Sequence, residues 1–373
     1  MRILHIVGPM NLGGIENFLM NVYRVIDHSQ VQFDFLVTRE QQGIFDKEIN
    51  LLGGKIYNIP YIKKVGLLKY IKILNEFFRT HPEYKIVHCH MNATAGLYLP
   101  IARINGIPVR IAHGHSAAFS QNPKIIEYVE FLFKKLLKLF VNSNATHYFA
   151  CGYDAGVWLY GKKIADYDLN IVRNGVNTRR FQYEENIAHK IRNELSITDN
   201  TLVIGHVGNM SSPKNHKFLI DVYEALLHRV PNSILCLVGD GTLRTTIQDY
   251  VNDKNLTGKV KFLGSRNDVP DLLRAFDIFV MPSIFEGLPV SVIEAQAATL
   301  PCILSDRITT EVDMGMGLTH FIGLEQSPAA WAEIIIKNKS KNRNISIQPL
   351  IEHGYDIKTT AEWLQSFYLN VLK

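Results

Sequence analysis

Residues Phe276–Ala298 read FDIFVMPSIFEGLPVSVIEAQAA, and the rest of the chain is arranged around this stretch. The apolar run Ile278–Met281 predicts a buried parallel strand, and the apolar spacing from Val290 onward predicts a helix. Glu286 lies in the turn between them, and Glu294 lies in the helix. Open amides at a helix start favour an anion, most often phosphate, and a carboxylate beside them can accept hydrogen bonds from sugar hydroxyls. The stretch therefore predicts a nucleotide-sugar site.

The composition predicts a soluble globular chain of two or three domains. The chain has 373 residues, of which 47% are hydrophobic and 20% charged, and this balance excludes disorder. No apolar run reaches the roughly 18 residues of a spanning helix, and the opening MRILHIVGPM lacks the apolar core of a signal peptide. The four cysteines have no CxxC spacing, so reduced core thiols are expected.

Positive charge is concentrated in the amino-terminal half. Residues 1–173 contain 20 Lys and Arg against 13 Asp and Glu, a net +7, whereas residues 174–373 contain 20 against 22, a net −2. This favours an acidic partner such as lipid head groups or a diphosphate-linked acceptor, with ordinary surface variation as the alternative. Residues 124–138 place lysines beside Leu and Phe, which predicts peripheral membrane contact; a core-packed helix with a basic edge is the alternative. No nucleic-acid partner is expected.

Apolar runs alternate with helical patterns along the whole chain, which predicts an α/β fold with two doubly wound domains. The strands predicted for the first domain are Ile3–Val7, Phe33–Val37, Lys55–Ile59, Ile86–Cys89, Val109–His113 and His147–Ala150. Those predicted for the second are Leu202–Val207, Ser233–Val238, Lys259–Leu263, Ile278–Met281 and Cys302–Ser305. A short strand at Leu169–Val172 and turn residues after it place the boundary between residues 173 and 174.

Two loops of the first domain are candidate ligand sites, because ligands of open α/β sheets bind at the carboxyl ends of strands. Gly13-Gly14 follows the first strand and lets a ligand approach the backbone, although GxGxxG and a Walker lysine are both missing; a tight turn is the alternative. His113 and His115 end the fifth strand as candidate proton carriers or phosphate partners, or else as polar loop residues. His88 and His90 have no evident third ligand, so no metal is expected there.

Polar loops also follow the strands of the second domain. Lys214 precedes a helix after a glycine-containing loop, where it can meet phosphate as a point charge. Gly239 begins a tight turn into a helix, and Arg266 follows the next strand. Each of these residues is a weak signal alone. All of them follow parallel strands at the edge of the sheet that carries Glu286.

The chain resembles the retaining nucleotide-sugar glycosyltransferases of family 4, the group 1 type of bacterial exopolysaccharide and capsule synthesis. The matching motifs, which run along most of the chain, are Gly13-Gly14-Ile15-Glu16, Asn174-Gly175-Val176, Lys214-Asn215, Gly239-Asp240-Gly241, Phe262-Leu263-Gly264 and Glu286-Gly-Leu-Pro-Val-Ser-Val-Ile-Glu294. The resemblance implies the GT-B fold, with two Rossmann-like domains facing across a cleft. It assigns residues 1–173 and a returning helix at about 357–373 to an acceptor-side domain, and residues 174–356 to a donor-binding domain.

The resemblance also implies the roles of the site residues. Glu286 would bind the hydroxyls of the donor sugar, Glu294 those of the ribose, and Lys214 the diphosphate. His113 or His115 would lie beside the reacting sugar. The remaining donor-binding candidates are Gly13, Gly14, Asn209, Gly239, Arg266, Gly287, Leu288, Pro289 and Val290. No metal or other cofactor is implied, because lysine, arginine and helix amides stabilise the leaving diphosphate.

One position departs from the family pattern: Asn209 stands where an arginine commonly follows the glycine. This departure puts the stabilisation of the leaving group in doubt, though not the fold. We expect a cytoplasmic enzyme at the inner face of the plasma membrane. It would transfer a hexose from a nucleoside diphosphate sugar, UDP favoured, to a glycan acceptor that is lipid-linked. The alternatives are a non-catalytic module that binds sugar nucleotides and a nucleotide-sugar epimerase with the GT-B fold.

Overall fold

The chain divides into two compact units, Met1–Gly175 together with Ile357–Lys373, and Val176–Asp356. The structure is a computed structural model that describes residues 1–11, 13–39, 41–115, 125–286, 288–339 and 343–373, and of residues 125–131 the helical backbone alone. The sequence placed the domain boundary between residues 173 and 174 and assigned the last helix to the first domain. Within the described ranges, no helix has both the length and the apolarity needed to cross a bilayer.

The first unit contains a seven-stranded parallel sheet. Its strands are β1 (Arg2–Val7), β2 (Gln32–Thr38), β3 (Ile56–Ile59), β4 (Ile86–Cys89), β5 (Val109–Gly114), β6 (His147–Ala150) and β7 (Leu169–Ile171). Their order is β3-β2-β1-β4-β5-β6-β7. The central strands are buried over nearly their whole length, as expected for parallel strands covered on both faces.

Helices connect these strands, as the alternating sequence pattern predicts. They are α1 (Gly14–Tyr23), α2 (Asp46–Leu51), α3 (Ile62–Val65), α4 (Leu67–Thr80), α5 (Ala95–Ile104), α6 (Ile125–Asn144), α7 (Tyr153–Tyr160) and α8 (Lys162–Tyr167). A 3₁₀ turn, Asn92–Thr94, precedes α5.

The second unit contains a six-stranded parallel sheet. Its strands are β8 (Leu202–Val207), β9 (Ser233–Val238), β10 (Val260–Gly264), β11 (Ile278–Met281), β12 (Cys302–Ser305) and β13 (Thr319–Ile322). Their order is β10-β9-β8-β11-β12-β13, so β8 and β11 lie side by side at the centre. The loops that follow these two strands therefore leave the sheet next to each other, and they carry Lys214 and Glu286.

The helices of the second unit are α9 (Thr178–Phe181), α10 (Glu185–Glu194), α11 (His216–Arg229), α12 (Arg244–Asp253), α13 (Val269–Ala275), α14 (Val290–Ala297), α15 (Pro328–Asn338) and α16 (Gln348–Glu352). Two 3₁₀ turns, Ser212–Lys214 and Thr310–Val312, complete the described elements.

The last helix, α17 (Ile357–Asn370), belongs to the first unit. It buries Ile357, Ala361, Leu364 and Tyr368 in the same apolar cluster as α1 and the middle of the sheet. The core of the first unit is therefore built from both ends of the chain.

Each sheet contains one strand more than the set predicted for its domain. The short strand predicted at Leu169–Val172 is present as Leu169–Ile171, and it pairs with β6 as the seventh, edge strand of the first sheet. The second sheet gains β13, an edge strand paired with β12. Its residues, THFI, are mostly half-buried and carry too little apolar alternation to predict a strand.

Candidate active site

Strand β11 and helix α14 position the two glutamates. All four residues of β11 are buried, and α14 begins at Val290 after an extended Pro289. The amides of Val290 and Ser291 have no acceptor among the described residues, and amides in the first turn of a helix can bind an anion. The side chains of Leu288 and Val290 are partly buried and pack against the core of the second unit. Gly287 lies outside the described residues.

Lys214 and Glu286 form an ion pair. The lysine Nζ lies 2.6 Å from Oε1 of Glu286, and the two side chains keep only 16% and 15% of their surface exposed. Oε1 of Glu286 has no hydrogen bond with acceptable angles, so its contact with Lys214 counts as an ion pair on the distance alone. A largely desolvated cation beside helix N-terminal amides is a suitable place for a diphosphate.

A backbone hydrogen bond joins the two loops that carry this pair. The Ile284 N–H donates to the Pro213 carbonyl at 2.8 Å, which fixes the turn before Glu286 against the turn that ends in Lys214. Asn215, the residue after Lys214, adopts the left-handed conformation (φ 55°) before α11 starts. The position of Lys214 is therefore set by backbone geometry on both sides.

Two histidines that the sequence analysis passed over lie near Lys214. His206, in β8, is fully buried, and its Nδ1 lies 2.9 Å from the Val280 carbonyl. His216 is the first residue of α11, and its ring centroid lies 4.8 Å from that of His206. Burial lowers the pKa of both rings, and the Lys214 charge lowers it further, so both are neutral at pH 7.

Glu294 is surrounded by protein although part of the residue remains accessible. Burial raises the pKa of its carboxyl to about 7, and the nearby Arg180 opposes that rise. Arg180, in the short helix α9, was not predicted as a site residue. Because the carboxyl titrates near neutral pH, it accepts hydrogen bonds from hydroxyls fully only when it is deprotonated.

Gly239 and Asn209 belong to a tight crossing of two loops. Gly239 has φ +129°, and a Cβ there would overlap the Gly208 carbonyl oxygen. Asn209 is exposed, and the amide of the next residue, Met210, donates to the Asp240 carbonyl at 2.9 Å. Gly239 is thus required by the fold itself, whether or not a ligand approaches it.

Arg266 is engaged in ion pairs. Its guanidinium contacts Asp268 at 2.6 Å and Glu194 at 2.9 Å, and both carboxylates raise its pKa. The side chain of Arg266 is therefore held by its neighbours. A nucleotide base could contact the backbone around this residue.

In the first unit, Gly13 and Gly14 start helix α1. Gly13 is the extended N-cap residue, and a Cβ there would overlap the Glu16 carboxylate. A Cβ on Gly14 would meet nothing within 4 Å, so this position opens to free space. The geometry at Gly14 suits close approach of a ligand to the backbone; Leu12 lies outside the described residues.

Five histidines cluster on one face of the first sheet: His5, His88, His90, His113 and His115. Burial is the first cause that lowers each pKa, to about 3 for His5 and His115 and well below the ordinary value for the other three. All five rings are therefore neutral at pH 7.

The two predicted histidines differ in burial. His113 is fully buried, whereas His115 is partly exposed, and its backbone N–H donates to Asn92 Oδ1 at 2.8 Å. Nitrogens of the triads His5/His88/His90 and His90/His113/His115 each lie within 4.8 Å of one another. The fold thus supplies the third ligand that the sequence did not show beside His88 and His90. The expectation that the protein needs no metal stays a prediction.

Comparison with known proteins identifies the fold and the family. Residues 188–347 match the family model described as glycosyl transferases group 1. The chain is 35% identical to the protein EpsF of Bacillus subtilis, over 98% of this chain and 96% of that one. It is 26% identical to the UDP-Gal:alpha-D-GlcNAc-diphosphoundecaprenol alpha-1,3-galactosyltransferase of Escherichia coli, over 82% and 79% of the two chains.

Among solved structures, HepE of Anabaena in complex with UDP superposes with a TM-score of 0.78 at 17% identity, over 99% of both chains. The lipopolysaccharide glycosyltransferase WaaG superposes with a TM-score of 0.68 at 14% identity, over 98% of this chain and 95% of that one. These likenesses confirm the predicted two-sheet α/β architecture as the GT-B fold. With the extent of the match to EpsF, they lead to the conclusion that this chain belongs to the group 1 family of glycosyltransferases.

Proposed function

We propose that the protein transfers a hexose from a UDP-sugar to a glycan acceptor with retention of configuration. The observation that carries the proposal is the Lys214–Glu286 pair beside the open amides of α14, with Glu294 in the same helix. Lys214 and the helix amides stabilise negative charge on the departing diphosphate. Glu286 accepts hydrogen bonds from the sugar, and Glu294 accepts them from the ribose. His113 and His115 are the candidates for the reacting centre.

UDP is favoured over other nucleotides for two reasons. The Escherichia coli relative is named for a UDP-galactose donor, and HepE was solved with UDP. The same relative is named for a diphosphoundecaprenol-linked acceptor, which supports a lipid-linked acceptor here. Such an acceptor would place the protein in the cytoplasm at the inner face of the plasma membrane.

Helix α6 supports contact with that membrane. Five apolar side chains from the middle of this helix onward are 43–64% exposed: Leu132, Phe133, Leu136, Leu139 and Phe140. Lys138 instead folds back, with its Nζ 3.6 Å from the Trp158 ring centroid. We define these five residues as the α6 patch. Residue 124 and the side chains of residues 125–131, which the sequence included in the membrane segment, lie outside the described residues.

We propose that catalysis needs no metal, because Lys214 and the α14 amides supply the positive field for the diphosphate. Asn209 contributes no charge, so Lys214 carries a larger share of this work than in relatives with an arginine. Turnover that survives exhaustive chelation would support this, and turnover restored by one metal ion after chelation would contradict it.

The decisive experiment offers the purified protein a panel of nucleotide sugars with and without a polyprenyl diphosphate sugar acceptor. We expect acceptor-dependent release of UDP, with the donor's anomeric configuration kept in the product by NMR. Glu286→Ala should abolish turnover, and Glu333→Ala, at an exposed carboxylate of the same unit, should not.

Three outcomes would contradict the proposal. An inverted product would exclude retention, and a rearranged sugar nucleotide without transfer would indicate an epimerase. Donor binding without consumption across the acceptor panel would indicate the non-catalytic module. Asn209 is the residue that makes the last outcome worth testing, since the leaving group has one cation fewer around it.

A further inference from the structure

Arg343 joins the carboxyl ends of two helices in the second unit. Its guanidinium donates to the Ala298 carbonyl at 2.7 Å, at the end of α14. It also donates to the Phe276 carbonyl at 2.8 Å and to the Leu273 carbonyl at 3.2 Å, at the end of α13. The last carbonyls of a helix lack partners within it and carry partial negative charge, so a cation is favourable there. Arg343 therefore holds the end of α14 against the end of α13.

Thr299, which directly follows the end of α14, is bonded to the same arginine. Its hydroxyl donates to the Arg343 carbonyl at 3.0 Å and accepts from Arg343 Nε at 3.3 Å. The backbone of Thr299 is left-handed (φ +54°), and its N–H donates to the Gln296 carbonyl at 2.8 Å, a helix ending that most often uses glycine. Of the described non-glycine residues with positive φ, Thr299 alone is β-branched. Such strain persists only where neighbours hold the residue, and Arg343 is the neighbour that does so here.

The held end of α14 is close in sequence to the donor-site residues. Glu294 lies one turn before Ala298, whose N–H donates to the Glu294 carbonyl at 2.9 Å. The amides of Val290 and Ser291 are at the other end of the same helix. A helix of this length measures about 12 Å, so a tilt at its carboxyl end displaces both the carboxylate and the amides.

Arg343 also contacts the segment that follows α9. Its guanidinium carbon lies 4.8 Å from the centroid of the Tyr183 ring, within the range of a cation–π contact. Burial raises the pKa of Glu294, and Arg180, in α9, opposes that rise. One guanidinium therefore links the helix that carries Glu294 to the segment that carries its nearby cation.

We propose that Arg343 is a positioning residue of the donor site. Through the end of α14, it holds Glu294 and the α14 amides in the arrangement that binds the nucleotide. Lysine cannot replace it, because a single ammonium lacks the planar fork that reaches three carbonyls. The nucleotide assignment rests on the proposed function, whereas the contact between Arg343 and α14 does not.

Hydrogen exchange tests this contact without any substrate. In the full chain, Arg343→Ala should raise the exchange rate of the α14 amides relative to those of β9 about tenfold, because the helix end opens more often. Arg192→Ala is the matched control. Arg192 is also largely buried and donates to the Ala275 carbonyl in α13 at 3.0 Å, but none of its hydrogen bonds among the described residues reaches α14. The same α14-to-β9 ratio in both variants would overturn the proposal.

UDP binding tests whether the contact matters to the site. Calorimetry under conditions where each variant is fully folded should show Kd for UDP about tenfold higher in Arg343→Ala, and unchanged in Arg192→Ala. A purely structural role would change the urea midpoint and leave Kd as it is. Wild-type UDP affinity in a folded Arg343→Ala whose α14 exchanges faster would therefore overturn the positioning role.

The surroundings of Arg343 allow chemical rescue. The residue borders a cavity of about 690 Å³ together with Tyr183, Thr299 and the exposed Ser346. A small guanidinium can therefore reach the position that Arg343→Ala empties. We expect methylguanidine to restore part of the UDP affinity of Arg343→Ala and to leave that of Arg192→Ala unaffected.

The readouts separate this inference from the proposed function. If Arg343→Ala does not fold, Arg343→Lys, which keeps the charge, is measured in the same two assays, and wild-type values in both would overturn the proposal. If the wild type consumes no UDP-sugar, the proposed function fails, while α14 exchange and UDP binding still decide the role of Arg343.

Discussion

Lys214 Nζ lies 2.6 Å from Glu286 Oε1, so the cation assigned to the diphosphate is paired with the carboxylate assigned to the sugar. A donor substrate must therefore compete with Glu286 for Lys214, or share it. Since the two side chains come from loops joined by the Ile284–Pro213 hydrogen bond, the pair is a built feature of the second unit.

Glu286→Gln should separate binding from turnover. Removing the negative charge frees Lys214 and removes repulsion of the diphosphate, so we expect UDP to bind about threefold or more tightly. Turnover should fall by about 10²-fold or more, because the amide no longer stabilises the sugar in the transition state. Calorimetry with UDP and initial rates measure the two effects. Glu333→Gln is the control, and equal losses of affinity and turnover would contradict this account.

The raised pKa of Glu294 predicts a pH dependence of nucleotide binding. Because ribose hydroxyls donate to the ionised carboxylate, UDP affinity should rise about tenfold from pH 6 to pH 8 as the group ionises near pH 7. Titration of UDP itself should change the UDP affinity of wild type and of Glu294→Gln equally. The variant should therefore show a weaker dependence, and identical pH profiles would argue against this role.

The raised pKa of Glu294 also makes the stability of the folded protein depend on pH. Its pKa rises from 4.5 to about 7 on folding, so the folded state holds the proton more tightly. This contribution is fully present below pH 4.5 and is lost as pH rises through about 7. Glu294→Gln should accordingly be about 2 kcal/mol more stable than wild type at pH 8, and closer to it at pH 5. Urea unfolding at the two pH values tests the sign.

Gly14→Ala should change function with little effect on stability. A Cβ there meets nothing within 4 Å, and Gly14 does not have positive φ, so alanine should shift the unfolding free energy by less than about 1 kcal/mol. If a ligand approaches this backbone, KM for the donor should rise about tenfold. Gly258→Ala, at another open position, controls for the methyl group itself. An unchanged KM would indicate that Gly14 serves only the turn.

Gly239→Ala should behave in the opposite way. Its φ of +129° and the overlap with the Gly208 carbonyl predict a loss of about 2–4 kcal/mol in unfolding free energy. Gly106→Ala, at φ +76° with open space around it, should lose only about 1–2 kcal/mol. Chemical denaturation compares the two. Similar losses would show that the loop crossing relaxes around a methyl group.

The α6 patch predicts binding to lipid. Leu136→Ser with Leu139→Ser should reduce sedimentation with anionic vesicles, because two apolar side chains, 50% and 64% exposed, no longer insert. Leu68→Ser, at a side chain 79% exposed in α4, is the control. Equal sedimentation of all variants, or none by wild type at low salt, would exclude this surface.

Much of the second unit could be predicted from the sequence. The strands Leu202–Val207, Ser233–Val238 and Ile278–Met281 have the predicted bounds, because buried parallel strands are continuous apolar runs. Strand β13 escaped prediction because an edge strand lacks such a run. Arg180 and the pair His206 and His216 could not be assigned to the site either, since their proximity to it depends on tertiary packing.

The histidine cluster shows the same limit in the first unit. The pattern at His113 and His115 was recognisable because both residues end a predicted strand. His113 contacts His88, and the hydrogen bond between His88 and Tyr368 spans 280 residues of sequence and has no local signal. Sequence reasoning can thus place a side chain at a sheet edge, but the proton it carries depends on partners that only the fold supplies.

The location of α17 in the first unit bears on the order in which the protein is made. Val176–Asp356 is continuous and can fold as soon as it has been synthesised. Met1–Gly175 must wait for Ile357, Ala361, Leu364 and Tyr368, which complete its apolar cluster. At about 5–20 residues per second, that delay is roughly ten to forty seconds. During this interval the nascent chain exposes the apolar surface that α17 later covers, so the first half of the chain to be translated is the last to become native.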